Sequence, residues 1–389
     1  MKRDFEFFNP TQVFFGRSAM ENLGAVLSQY GDRVLLAYGG GSIRENGIYD
    51  QVMEVLRACG KTVTEFSGIL PNPTYAKALE GGALARACQA DLILAVGGGS
   101  VIDCAKAVAI AAVEEGDLWN KYWEGKQPLD CVPLPVGAIL TMVGTGSEMD
   151  GDSVLTNEET KRKTSCWDYA IYPQFAILNP EFTFSVPEYQ MVSGIFDTLS
   201  HIMEIYLSPE DEDNISDDFA EALMRSILRN TPVAIANPRD YVARSNLMWA
   251  SSLALSGILA PSKQEDWEVH QIQHQIAAYY PSAHGMGLAA VSPAYYRLVC
   301  PHGLPRFRRF AVNVWGVDPA GKSDREVALA GIDAMAAFIR DSRMTPNLRA
   351  LGILDESRLA EIAATCNLRR GGYYTLTRED VLQVLRESF

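Results

Sequence analysis

Histidine is scarce in this chain, cationic side chains are outnumbered, and cysteine forms no pattern. Only 5 of 389 residues are His, and 34 Lys and Arg stand against 48 Asp and Glu, a net charge of −14. An acidic surface repels phosphate backbones, so no nucleic-acid partner is expected. The densest basic runs, Lys161–Lys163 and Arg306–Arg309, are short and read as solvated faces. No apolar run reaches the roughly eighteen residues of a membrane-spanning helix, so no membrane partner is expected either. The N-terminus has charges but no apolar stretch leading to a cleavage site, so no signal peptide is expected. The 7 cysteines are odd in number and include no Cys-x-x-Cys pair. That argues against a zinc ribbon or a disulfide framework and points to reduced thiols in the cytoplasm. The 31 Gly and 19 Pro follow no period, which excludes a collagen-like chain, and 48% hydrophobic residues exclude disorder.

What is present divides the chain in two. In the first half, short apolar runs alternate with helical spacing. Val34–Tyr38, Thr62–Phe66, Leu92–Val96, Val132–Val136 and Phe175–Leu178 read as strands. Tyr49–Cys59, Tyr75–Ala87 and Ile102–Ala112 read as helices between them. Continuous apolar strands separated by helices predict α/β architecture, a doubly wound parallel sheet covered on both faces. Asp152–Thr156 and Thr164–Trp167, with polar residues between, suggest a β-hairpin inserted in that domain. After Pro187 the spacing becomes helical: Met191–Leu207, Ile215–Arg229, Arg244–Ile258, Trp267–Tyr280, Arg325–Arg340 and Glu356–Ala364. The prolines at 180 and 187 punctuate the change. The expected domains are residues 1–183, α/β, and residues 184–389, all-α.

Four of the 5 histidines fall in two short segments. Asp197 and His201 are four apart, as are His270 and His274, and positions i and i+4 share a helix face about 6 Å apart. Pro281 breaks the second helix, and a turn there can bring His284 back toward its end. One i,i+4 pair arises by chance. Nearly all the histidines of a long chain gathered in two apolar segments with a carboxylate do not. A carboxylate with imidazoles suits a divalent first-row metal, although spacing leaves open which of them bind.

Two strands run into glycine: Gly39-Gly40-Gly41-Ser42 and Gly97-Gly98-Gly99-Ser100, the second passing directly into a helix. Glycines admit close backbone approach, and a helix N-terminus favours phosphate. Paired loops on neighbouring strands suit the two ends of a dinucleotide. Thr141–Ser147 is a third small, polar turn after a strand.

Asn9–Gly16 (NPTQVFFG), PNPT at 71–74, GGGSVIDCAK at 97–106, GTGSE at 144–148, FDTLSHIMEIY at 196–206 and the HQIQHQIAAYYPSAHG segment together resemble the iron-containing alcohol dehydrogenase family. The likeness is to its butanol dehydrogenase-like, aldehyde reductase branch. It implies an N-terminal Rossmann-like domain and a C-terminal helical domain in a dehydroquinate synthase-like architecture, with the active site in the cleft. It implies Asp197, His201, His270 and His284 as ligands to one divalent metal (Fe2+, Zn2+, Ni2+ or Mn2+), and His274 near the nicotinamide as a proton carrier. Gly97, Gly98, Gly99 and Ser100 match the pyrophosphate loop, and Asp103 lies near the nicotinamide end. Thr141, Thr145 and Ser147 match a second cofactor-contacting turn, and Lys163 a lysine near the ribose. Members that prefer NAD carry an acid in the first loop. Here Gly39, Gly40, Gly41 and Ser42 offer none, and Arg44 is close, so NADP(H) is expected over NAD(H). The resemblance further implies a cytoplasmic homodimer acting on a small alcohol or aldehyde. The alternatives are a polyol dehydrogenase, a dehydroquinate synthase-like lyase, or a dinucleotide-binding protein without catalysis. The lyase would want basic side chains to hold its substrate's anionic groups, whereas apolar and aromatic residues such as Phe196, Tyr279 and Tyr280 flank the histidines.

Overall fold

The structure, a computed structural model, describes residues 4–209 and 212–389. It divides into two compact units, Asn9–Val186 and Pro187–Phe389, the second joined by the described residues before Asn9. The change of unit falls slightly beyond the 183/184 division. The short turn Pro180–Thr183, capped by the Asn179 side chain accepting the Glu181 N–H at 3.0 Å, still belongs to the first unit.

The first unit holds strands β1 (Gln12–Phe15), β2 (Arg33–Tyr38), β3 (Thr62–Phe66), β4 (Leu92–Gly97), β5 (Val136–Leu140), β6 (Asp152–Asn157), β7 (Arg162–Trp167) and β8 (Phe175–Leu178). Its helices are α1 (Leu23–Leu27), α2 (Ser42–Glu45), α3 (Ile48–Ala58), α4 (Tyr75–Ala87) and α5 (Gly99–Ala111). Six strands form one sheet in the order β1-β8-β5-β4-β2-β3, and every pairing in it is parallel. β4, β5 and β8 are buried throughout, as continuous apolar runs sandwiched between helices require. The strand expected at 132–136 starts only at Val136. Pro133 and Pro135 have no N–H to donate, and the ladder begins where Ile93 donates to the Pro135 carbonyl at 3.0 Å. β6 and β7 pair antiparallel as a separate hairpin.

The order of the strands positions the glycine loops. From β2 the chain moves outward to β3, then crosses back to β4 on the other side of β2. That reversal is where an open α/β sheet opens a crevice beyond its strand ends. Tyr38 pairs with Val96 and Gly97 with Leu140, so the turns after β2, β4 and β5 leave the sheet side by side.

The second unit is helical: α6 (Glu188–Tyr206), α7 (Ile215–Ala236), α8 (Tyr241–Ala254), α9 (Glu268–Tyr279), α10 (His284–Val299), α11 (Leu304–Asn313), α12 (Asp324–Asp341), α13 (Leu359–Thr365) and α14 (Arg378–Glu387). Among the described residues no helix is long and apolar enough to cross a membrane. The basic runs are only in part the solvated faces expected of them, with Lys161 exposed but Lys163 and Arg306 buried. Arg306 is buried in an ion pair with Asp217, and Arg309 bonds Glu221 at 2.6 Å. Lys163 is buried and donates to Asn72 Oδ1 at 2.9 Å.

Candidate metal centre and cofactor loops

In the helical unit, α6 presents Asp197 and His201 one turn apart, α9 presents His270, and His284 is the first residue of α10. Their ligand atoms lie within 4.8 Å of one another. Asp197 Oδ1 is the common neighbour, 3.6, 3.9 and 3.5 Å from Nε2 of His201, His270 and His284. These distances are too long for good hydrogen bonds. Asp197 Oδ1 and His270 Nε2 are buried with no hydrogen-bond partner among the described residues. Buried polar atoms of that kind call for a partner, and one carboxylate with three imidazole nitrogens is a donor set a divalent ion fits at bonds of about 2.0–2.2 Å.

Two imidazoles are held from behind. Glu204 Oε1 accepts a hydrogen bond from His270 Nδ1 at 2.5 Å and another from the His270 backbone N–H at 3.0 Å. Gln273 Oε1 bonds His284 Nδ1. Burial disfavours charge on His270, but the Glu204 and Asp197 carboxylates together outweigh it and hold that pKa up at about 9. His274 is buried nearby, its ring centroid 5.4 Å from that of His284 and 6.1 Å from that of His270. Close helix packing brings the set together. A Cβ on Gly285 would stand 1.8 Å from the Ser193 carbonyl oxygen on α6. Tyr279, by contrast, lies under the Arg358 guanidinium, 5.1 Å from the ring centroid.

In the sheet unit the structure brings the three turns together. Gly41 adopts φ +139, which favours glycine. A Cβ on Gly99 would meet Thr145 Oγ1 at 2.2 Å, so the second and third turns touch backbone to side chain. Thr141 N–H donates to the Gly97 carbonyl at 2.9 Å, and Ser147 N–H to Thr145 Oγ1 at 3.1 Å. Asp103, on the first turns of α5, accepts from Ser147 Oγ at 2.5 Å and from Val154 N–H at 3.2 Å. Beside it Lys106 is fully buried, donating to Asp150 Oδ1 at 2.6 Å, Ser147 Oγ at 3.0 Å and the Asp152 carbonyl at 2.7 Å.

Burial pushes Asp103 up to about 7, against the pull of Lys106. An unfolded Asp loses its proton near pH 4, so between these values the folded protein binds more protons. Stability therefore falls as pH rises from about 4 toward 7, by something on the order of 3 kcal/mol from this group. We expect thermal unfolding of Asp103→Asn to lose part of that slope. A wild-type slope in the variant would show that Asp103 ionises freely.

Glu65 also stands at the first loop, and no local sequence signal marks it. It lies on β3, and only the β2–β3 pairing places it beside the turn. Glu65 Oε2 accepts from Tyr38 OH and Arg44 Nη2, both at 2.5 Å, and Oε1 from Tyr49 OH at 2.8 Å. The Tyr38 hydrogen bond leads the causes that hold its pKa low. The Arg44 guanidinium lies 3.9 Å from the Tyr49 ring centroid. Arg44 is thus already engaged. Glu204, Gln273 and Lys106 also went unread, because nothing in their local spacing marks what they touch.

Comparison with known proteins gives one answer over the whole chain. Residues 10–180 match the profile described as iron-containing alcohol dehydrogenase, and residues 191–389 its C-terminal partner. The chain is 39% identical over 388 residues to a probable NADH-dependent butanol dehydrogenase 1 of Bacillus subtilis, covering 99% of this chain and 100% of the other. It is 32% identical to the NADPH-dependent aldehyde reductase YqhD of Escherichia coli, covering 87% and 85%. A crystal structure of NADH-dependent butanol dehydrogenase A from Thermotoga maritima superposes with TM-score 0.94 at 37% identity, covering 99% and 98%.

Proposed function

The chain belongs to the iron-containing alcohol dehydrogenase family, and from that premise we propose that it interconverts small aliphatic alcohols and aldehydes, working as a metal-dependent alcohol dehydrogenase and aldehyde reductase with NADP(H) preferred over NAD(H). The observation that carries the reading is the convergence of Asp197, His201, His270 and His284, with ligand atoms within 4.8 Å of one another. Residues 1–183 bind the dinucleotide and residues 184–389 hold the metal. The four side chains hold one divalent ion, Fe2+ or Zn2+, and the same donors serve Ni2+ and Mn2+. When bound, such an ion withdraws electron density from an aldehyde oxygen or acidifies an alcohol, while the nicotinamide supplies or accepts the hydride.

The protein's own groups do the rest. The turns at Gly97, Gly98, Gly99 and Ser100 and at Thr141, Thr145 and Ser147 seat the dinucleotide at the strand reversal. Asp103, fixed by Ser147 and Val154, sits at the nicotinamide end, and Lys163 serves the ribose. His274, beside His284, carries the proton between the alcohol oxygen and solvent.

Cofactor choice lies with the first loop. Ser42 leaves room for a 2′-phosphate and Arg44 offers it a cation, but Glu65 shares that cation. The preference for NADP(H) is therefore modest, in keeping with relatives that are named for either cofactor. All seven cysteines are free thiols, which suits the cytoplasm. Among the described residues β1 is an edge strand of the sheet, and such an edge suits pairing between two copies in a homodimer.

The test is one assay on metal-reconstituted protein of measured solution mass. Oxidation of NADPH and of NADH is followed separately with butyraldehyde. We expect turnover with both, with the higher kcat/KM for NADPH. Ser42→Asp should lower kcat/KM for NADPH about tenfold or more through charge repulsion, and Glu65→Gln should raise it by releasing Arg44. NADH preferred by the wild type would overturn the cofactor choice alone. No turnover with either, metal and cofactor bound, would overturn the function.

A further inference from the structure

We propose that Glu204 is a positioning residue that fixes His270 as the strongest neutral donor of the metal site. The inference rests on the metal reading above. Asp197, His201 and Glu204 stand at i, i+4 and i+7 of α6, so one stripe of a single helix carries two candidate ligands and an acid. Glu204 is fully buried. Its Oε1 is 2.5 Å from His270 Nδ1 and 3.0 Å from the His270 backbone nitrogen. That double acceptance fixes the ring against rotation and keeps a proton on Nδ1, so the neutral imidazole has its lone pair on Nε2, the nitrogen that faces Asp197 Oδ1. The other oxygen, Oε2, is buried with no hydrogen-bond partner among the described residues, so the carboxylate's attention is not divided by a second donor.

His284 receives the same kind of support at Nδ1, but from the neutral amide of Gln273, itself one turn along α9 from His270. A carboxylate behind an imidazole raises its basicity, whereas an amide orients the ring without that electrostatic push. The His284 side chain is also the most exposed of the four, at 20% against 4–6% for the others. The geometry therefore grades the ligands: His270 is rigid, buried and reinforced by charge, and His284 is oriented but more weakly held.

Glu204→Ala, Glu204→Gln and His270→Ala would be compared with the wild-type chain. One readout is Zn2+ affinity, by competition with a chromophoric chelator. The other is the visible absorption of the Co2+-substituted protein. We expect Glu204→Ala to weaken Zn2+ binding about 10–100-fold and shift the Co2+ bands. Glu204→Gln retains an acceptor oxygen without the charge, and should recover part of the affinity. Circular dichroism checks that each variant folds. If Glu204→Ala does not fold, Glu204→Gln decides, and wild-type affinity and spectrum in it overturn the proposal. Wild-type values in a folded Glu204→Ala overturn it too, provided His270→Ala loses its metal. If His270→Ala binds Zn2+ like the wild type, the metal-site reading itself fails.

Discussion

Replacing His270 with alanine should leave the protein without metal and lower kcat/KM for butyraldehyde reduction at least about a thousandfold. The expectation follows from what the ring touches. His270 Nε2 faces Asp197 Oδ1, and Nδ1 faces Glu204. Without the ring, the set loses a nitrogen donor and two buried carboxylates are left facing a void. Uncompensated buried charge is costly, and a three-donor remnant binds a divalent ion far more weakly. His302→Ala is the control. It is the one histidine outside the cluster, stacked on Tyr374 at 4.4 Å, and its loss should leave metal content and turnover unchanged. Metal analysis with NADPH oxidation on the same preparations measures both. Full metal content and full turnover in His270→Ala would remove His270 from the site.

Gly285→Ala should be the most damaging small substitution in the helical unit. The added Cβ would lie 1.8 Å from the Ser193 oxygen, 2.7 Å from the carbonyl carbon behind it and 3.0 Å from the Asp197 nitrogen. All three are backbone atoms of α6, so no side-chain rotation relieves the clash and the two helices must separate. Overpacking of this kind costs about 3 kcal/mol or more. In a unit of this size that lowers Tm by roughly 6–12 °C. Separation would also draw His284 away from Asp197, so metal affinity should fall with stability. Gly40→Ala offers the contrast, because a Cβ there meets nothing within 4 Å. Thermal unfolding of both variants measures the difference, and equal Tm values would mean that α10 does not pack this closely on α6.

The parts of this molecule that were legible in the sequence are those whose signal is local. Strands such as Leu92–Val96 are continuous apolar runs, and burial on both faces leaves no other pattern for them. The Asp197–His201 and His270–His274 spacings declare helices with chemistry on one face. The missed features depend on partners distant in the chain. Glu65 looks like any polar residue of a strand until β2 and β3 are paired. Glu204 and Gln273 are ordinary helix formers until α6, α9 and α10 are packed. Edge strand β1 was not read, since Gln-Val-Phe-Phe has neither alternation nor length. Expecting a strand at 132–136 gave apolar character precedence over the proline N–H deficit. Helix α7 continues to Ala236 through Pro232 rather than stopping at Arg229, because packing overrides a single break.

The placement of the four donors has a mechanical consequence. None of the seven cysteines is bridged, so no covalent staple ties one part of this chain to another. Asp197 and His201 belong to one helix, His270 to a second and His284 to the start of a third. A single ion shared among them would act as a reversible rivet, closing one long loop and one short loop of chain at one point. Cross-links of that kind restrict the unfolded chain more than the folded one, and ligand binding adds stability in proportion to the logarithm of free metal. The helical half would then loosen when metal is scarce, while the sheet half, which has no share in the rivet, keeps its own packing.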